Sequence, residues 1–181
     1  TLLAEFYLQD QEPVTIDQVN EYVLKGTVAT EDERFYEHEG VDLMGIARAL
    51  VNNLLGGDLE GASTITQQLV RGTLLSDEAT EISFKRKIRE AQLALEMEKV
   101  YSKDDILMMY LNTINYGDGC YGIEAAAQHY FQKSALDLTI AEAATLVGIP
   151  QSPTYNNPVT YPENSQKRRN TVLDRMFSNN V

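Results

Sequence analysis

The chain has a single cysteine, Cys120, so no internal disulfide framework can form and the redox compartment stays unread. Two histidines beside that one cysteine argue against a structural zinc site. No apolar run approaches the roughly 20 residues that span a bilayer. The opening TLLAEFYLQD lacks the basic lead and cleavage site of a secretory signal, so the chain reads as an excised domain. Positive charge is short as well. Twenty-seven acidic against 15 basic residues give a formal −12, which argues against general nucleic-acid binding. No segment keeps the period-2 alternation of a half-buried strand, and no internal repeat is visible.

What remains is a helical pattern on a chain long enough, at 181 residues, for one domain with a substantial core. Thr15 with Gln18 resembles a capping box and predicts a helix to about Gly26. Asp42 is placed to cap a second helix carrying Leu43, Ile46, Ala47, Leu50, Val51 and Leu54, ended by Gly56 and Gly57. The stretch DLEGA reads as a mobile loop, after which Ser63 caps a third helix. The longest pattern runs from Ser83 to Tyr101, with Phe84, Ile88, Ala91 and Leu95 on one apolar stripe. Ser102 with Asp105 predicts a helix to about Thr113, and residues 115–122 form a glycine-rich loop. An alanine-rich helix from Ile123 to Phe131 follows, then one starting at Thr139 and stopped by Pro150, then a last helix from Pro162 toward Met176. The fold class is all-α or nearly so.

Chemistry concentrates in three segments. EDERFYEHEG, residues 31–40, sets Glu31 and Asp32 ahead of the rings of Phe35 and Tyr36, with His38 close by. Apolar rings beside a carboxylate suit a general base, although an acidic, solvated helix end has the same composition. On the long helix, Lys87, Glu90, Ala94 and Met97 form a row beside the apolar stripe, so the charged pair is expected to be half-buried. A plain helical salt bridge is the competing account. GASTITQQ, residues 61–68, brings Ser63, Thr64, Gln67 and Gln68 to a helix start, with Arg71 a turn later. Such a donor-rich terminus suits a phosphate or a sugar, and is also the ordinary way to begin a helix. Two basic clusters, Lys85–Arg89 and Lys167–Arg169, suggest local anion sites, or else solvated helix faces.

Together these residues resemble the peptidoglycan glycosyltransferase domain of class A penicillin-binding proteins and monofunctional transglycosylases. The likeness covers residues 13–176 and five ordered motifs: EDERFYEHEG, GASTITQQ, KRKIRE (85–90), KDDILMMYLN (103–112) and AEAATLVGIPQSPTYNNP (141–158). It implies a single domain over residues 1–181 with a lysozyme-like helical fold. A larger head and a smaller, mobile, membrane-proximal lobe at about 43–60 are expected. The implied reaction joins lipid II units into β-1,4-linked glycan strands, inverting the anomeric carbon of a polyprenyl-pyrophosphate donor. Glu31 matches the base that deprotonates the acceptor 4-hydroxyl, and Glu90 the second carboxylate, which acts on the leaving group or a metal. Arg48, Ser63, Gln67, Gln68, Arg71, Arg86 and Lys87 match pyrophosphate- and sugar-binding positions, joined by Thr64 at the same helix start. Asp32 and His38 are expected to support and position substrate.

The resemblance further implies a divalent cation such as Mg²⁺ or Mn²⁺, no organic cofactor, and binding of moenomycin at the donor site. It places the domain at the extracytoplasmic face of the bacterial membrane. The partners would be lipid II, the growing strand and the membrane surface, with an N-terminal anchor preceding the domain and a transpeptidase domain able to follow it. Three positions depart from the family pattern. Ala62 and Ile82 stand where glycine and arginine are common, and Arg71 where lysine is frequent. A lysozyme-like hydrolase or lytic transglycosylase, or a non-enzymatic glycan-binding module, are the alternatives. A hydrolase has no pyrophosphate to bind, so Arg48, Arg71 and Lys87 would be superfluous in it, whereas a non-enzymatic module predicts that Glu31 can be replaced without loss.

Overall fold

The computed structural model describes residues 12–54, 56, 63–76 and 83–181. Among them stand eight α-helices, one 3-10 turn at Ile16–Gln18 and no sheet. The helices are α1 (Glu21–Glu31), α2 (Leu43–Leu54), α3 (Ile65–Thr73), α4 (Phe84–Glu98), α5 (Lys103–Thr113), α6 (Ile123–Phe131), α7 (Ile140–Gly148) and α8 (Pro162–Ser178). The all-α expectation therefore holds. The chain divides into two compact units, one of Thr1–Thr30 with Leu111–Val181 and one of Glu31–Tyr110.

The first unit is built on small residues. Ala125, Ala126 and Ala127 on α6 and Ala143 and Ala144 on α7 are buried, with Ile123, Leu146, Ile149, Val172 and Met176 filling the space between. Each fully buried aliphatic side chain contributes roughly 1.5–3 kcal/mol. Its loops are fixed by side-chain amides. Asn112 exchanges hydrogen bonds with the backbone of Val14, donating at 2.9 Å and accepting at 3.0 Å. Asn20 donates to the carbonyls of Leu136 and Leu138. Gly122, at φ +94°, lies so near the Asn112 carbonyl that a Cβ would stand 2.8 Å from its oxygen, which turns the glycine-rich loop into α6.

Two expected boundaries move. The Thr15–Gln18 capping box is present but closes only the 3-10 turn. α1 begins afterwards and runs straight through Gly26 to Glu31. Gly26 is buried within the helix because Met176 packs on it, its sulfur 3.2 Å from where a Cβ would be. It is a contact site, not a stop. In the second unit α3 is capped by Thr64 rather than Ser63. The Thr64 hydroxyl accepts from the Gln67 N–H at 3.1 Å, and the Gln67 side chain returns a bond to the Thr64 N–H. The predicted caps Asp42, Ser102 and Thr139 are in place, and Ser83, where the longest pattern begins, caps α4. The expected DLEGA loop, with Gly61 and Ala62, and the departure at Ile82 lie outside the described residues.

The second unit buries Phe35, Ile65, Leu69, Val70, Leu75, Ala94, Ile106, Leu107 and Tyr110. Its α2 differs from an ordinary core helix. Ala49 and Gly45 are buried, while Leu43, Met44, Ile46, Leu50 and Val51 are exposed, Leu43 at 75%.

Candidate active site

Glu31 is the last residue of α1, and the turn that follows it is fastened at three points. The Asp32 carboxylate, buried, receives His38 Nε2 at 3.0 Å on both oxygens and the Ile65 backbone N–H at 3.1 Å. That second bond ties the turn to the start of α3, where unpaired N–H groups favour an anion. Phe35 is wholly buried beneath the Lys103 ammonium, which lies 4.5 Å from the ring centre and pairs with Glu98 at 2.6 Å. Gly40 ends the turn at φ +87°, where its carbonyl accepts the Thr64 hydroxyl at 2.7 Å. Burial, then the Asp104 carboxylate, push the Tyr36 phenol up to about 12, so it remains a donor to Asp104.

Glu31 itself is half-buried, and Gln68 Nε2 donates to its Oε2 at 3.0 Å. The other end of that amide, Oε1, accepts from the buried Tyr110 hydroxyl at 3.2 Å. A relay Tyr110–Gln68–Glu31 thus fixes which way the amide faces and which carboxylate oxygen it holds. One turn away the second carboxylate is anchored to the same helix start. Lys87 Nζ donates to Ser63 Oγ at 2.8 Å and to Glu90 Oε1 at 2.7 Å. Glu90 is completely buried, and its Oε2 has no hydrogen-bond partner. The Lys87 side chain is 42% exposed, so the pair presents its cation outward and its carboxylate inward.

The other sequence-predicted residues divide into two groups. Thr64 and Gln67 are buried and engaged in starting α3, the Thr64 hydroxyl by Gly40 and Gln67 together and the Gln67 carbonyl by the Thr64 N–H. His38 serves Asp32. Arg48 is half exposed and paired with Glu33, Arg71 lies half-buried in the last turn of α3, and Arg86 is half-buried on the first turn of α4. Sequence reasoning missed Tyr110 and Lys103. Nothing local to α5 signals that the Tyr110 hydroxyl reaches α3.

One half-buried carboxylate on a turn, a second carboxylate held by a cation, and a donor-rich helix start between them are the groups this region brings together. Comparison with known proteins identifies the family. The family model described as Transglycosylase matches residues 1–177. Penicillin-binding protein 1F of Bacillus subtilis is 42% identical over 175 residues, which is 96% of this chain and 24% of that protein. Penicillin-binding protein 1A of Escherichia coli is 46% identical over 177 residues, 97% of this chain and 20% of that protein. The crystal structure of penicillin-binding protein 1A from Haemophilus influenzae superposes with a TM-score of 0.54 at 25% identity, covering 93% of this chain and 15% of that one. The chain belongs to the transglycosylase family, the peptidoglycan glycosyltransferase domain of class A penicillin-binding proteins, which serve cell-wall synthesis. It spans about a fifth to a quarter of the length of these relatives.

Proposed function

We propose that this domain polymerises lipid II, with Glu31 as the base and the Lys87–Glu90 pair facing the leaving group. Glu31 takes the proton of the acceptor 4-hydroxyl as that oxygen bonds to the donor C1. The C1–O bond to pyrophosphate breaks on the opposite face, the electron pair leaves with the pyrophosphate, and the configuration inverts from α to β. Positioned proton transfer of this kind contributes about 10²–10⁴-fold. Lys87, Arg86 and Arg71 supply positive charge for the departing group. Arg48 must share or release Glu33 to join them.

The observation that carries the reading is the double attachment of α3 and its leading residue. Gln68 holds Glu31 and Ser63 holds the Lys87–Glu90 pair, so one helix start fixes base and cation together. A lysozyme-like hydrolase has no use for the second half of that arrangement. For the implied Mg²⁺ or Mn²⁺, the fit is to a single ligand. Glu90 Oε2 is a buried acceptor with no hydrogen-bond partner, and among the described residues no three His, Cys, Asp or Glu side chains gather. Magnesium sites typically take one or two carboxylates with substrate phosphates. A cation held that way would neutralise pyrophosphate charge.

The exposed apolar residues of α2 support contact with a bilayer surface, from which a lipid-linked substrate must come. None of the described helices is long and apolar enough to cross a membrane. On the likeness to its relatives, the domain works at the extracytoplasmic face, with a lysozyme-like head and a smaller, membrane-proximal lobe at about residues 43–60. The greater length of the relatives supports further domains, a transpeptidase among them. Incubating the purified protein with lipid II and resolving the products on a gel tests the reading. A ladder of glycan polymer is expected. Fragments released from finished sacculi, with no polymer from lipid II, would replace this reading with the hydrolase.

A further inference from the structure

α1 carries Glu31 as its last residue, and the side chain that fastens this end of the helix comes from the far end of the chain. The final carbonyls of an α-helix have no intrahelical donor. The Thr30 carbonyl is one of these, and it accepts a hydrogen bond from Nη1 of Arg175, on α8 and 145 residues away. Thr30 is 4% exposed, and a buried carbonyl left without a donor is costly. The next residue of α8, Met176, is buried and sets its sulfur against Gly26, one turn earlier on α1. Consecutive residues of α8 therefore grip α1 at two points a turn apart, both within the first unit.

The grip is itself braced. Asn179 donates its backbone N–H at 3.1 Å and its Nδ2 at 2.9 Å to the Arg175 carbonyl, and the Val181 N–H closes onto the Met176 carbonyl at 3.0 Å. Arginine suits the place, since its guanidinium stays charged across the working pH range and a cation complements the negative end of the α1 dipole. Planarity of the peptide bond carries the grip to Glu31. The Thr30 oxygen and the Glu31 nitrogen belong to one rigid unit, so fixing the oxygen fixes the direction in which the chain enters Glu31. The other end of that residue is held by the Gln68 amide on Oε2. Backbone and carboxylate thus have separate anchors.

We propose that Arg175 is a positioning residue for the base, acting on the reaction through the Thr30–Glu31 peptide. The inference rests on Glu31 being the base of the polymerisation proposed above. Arg175→Met keeps an unbranched stem and removes the donor, and Arg175 is exposed, so the change leaves the packing of Met176 alone. With lipid II as substrate, kcat should fall about tenfold with KM little changed, part of the roughly 10²-fold that a misplacement of about 1 Å can cost. Arg175→Lys, which can still donate to the carbonyl, should recover most of the loss. On a Glu31→Gln background, Arg175→Met should bring no further fall. A second readout needs no turnover. In NMR spectra of protein carrying isotope-labelled glutamate, Arg175→Met should shift the side-chain carboxyl signal of Glu31, assigned through Glu31→Gln, and leave that of Glu90 in place. A stationary Glu31 signal overturns the proposal. So does a fall in kcat that is equally large on the Glu31→Gln background, or a lowered unfolding midpoint with kcat unaltered. If the wild type makes no polymer while the Glu31 signal still moves, the polymerase reading fails and the placement of Glu31 by Arg175 stands.

Discussion

Glu124 and Glu90 are both buried on helices, one in each unit, and they differ at their oxygens. Glu124, in the first unit, accepts the Ala135 N–H at 2.7 Å on Oε2 and the Gln128 amide at 2.8 Å on Oε1. Glu90, in the second, has Lys87 on Oε1 and no hydrogen-bond partner on Oε2. A buried acceptor without a donor costs about 1–3 kcal/mol. The first arrangement stabilises a fold. The second leaves one acceptor unused, which fits the role proposed for Glu90 at the leaving group. Burial alone does not distinguish a structural carboxylate from a functional one, whereas counting donors does.

The comparison can be broken most severely at Glu31. Glu31→Gln should lower polymerisation of lipid II by about 10²–10⁴-fold with an unchanged circular dichroism spectrum. Substantial turnover in that variant removes the base from the mechanism. Next comes the glutamate pair itself. Glu90→Gln should reduce turnover by about 10²-fold while the unfolding midpoint hardly moves. Glu124→Ala should do the reverse, costing about 1–3 kcal/mol by urea denaturation while activity per folded molecule stays constant. If both variants behave alike, the distinction drawn from their oxygens is void.

A smaller effect is expected from Tyr110→Phe. Without its hydroxyl the Gln68 amide can turn, and a loss of about 1 kcal/mol would appear as roughly a fivefold fall in kcat with KM little changed. A change in KM alone would mean that Tyr110 shapes the pocket rather than the base. The smallest effect concerns acid. Burial pushes the Asp42 carboxyl upward, but Arg34 and the Gly45 N–H more than offset that and hold it below the usual carboxylate range. A depressed folded value contributes stability above the unfolded pKa, and that contribution is lost as pH falls through the folded one. Asp42→Asn can keep the cap on α2 yet loses the ion pair, so its urea midpoint should fall less on acidification than the wild type's. An unchanged acid slope would assign the acid sensitivity to other carboxylates, with Asp118 and Glu142, both also lowered, next in line.

Local signals were legible in the sequence. The caps at Asp42, Ser83, Ser102 and Thr139 join residues only a turn apart, so the chain announces them directly. α4 shows where that legibility ends. Its apolar stripe is the exposed side, with Phe84 82%, Ile88 54% and Leu95 42% exposed, while the row expected to be half-buried has Glu90 and Ala94 at 0%. Hydrophobic periodicity locates a core-facing side only when the buried side is apolar, and here the buried side holds an ion pair. Gln67 and Gln68 make the same point with one residue type. The first stands three residues after Thr64 and closes a capping box, a spacing the sequence shows, whereas nothing local signals that the second reaches Glu31. Contacts between distant segments, such as Asp32 with Ile65 and Tyr110 with Gln68, required the fold.

Gly40 leaves its clearest mark on what the chain can become. A Cβ there would stand 2.7 Å from the Ala94 carbonyl oxygen, at a backbone angle that side chains rarely adopt. The obstacle is backbone, so no compensating side-chain change elsewhere can relieve it. Most exposed surface positions accept substitution at little cost in stability. This one has a single permitted letter, and a codon change at Gly40 would separate the turn bearing the acid from the helix bearing its partner before any catalytic group had been altered.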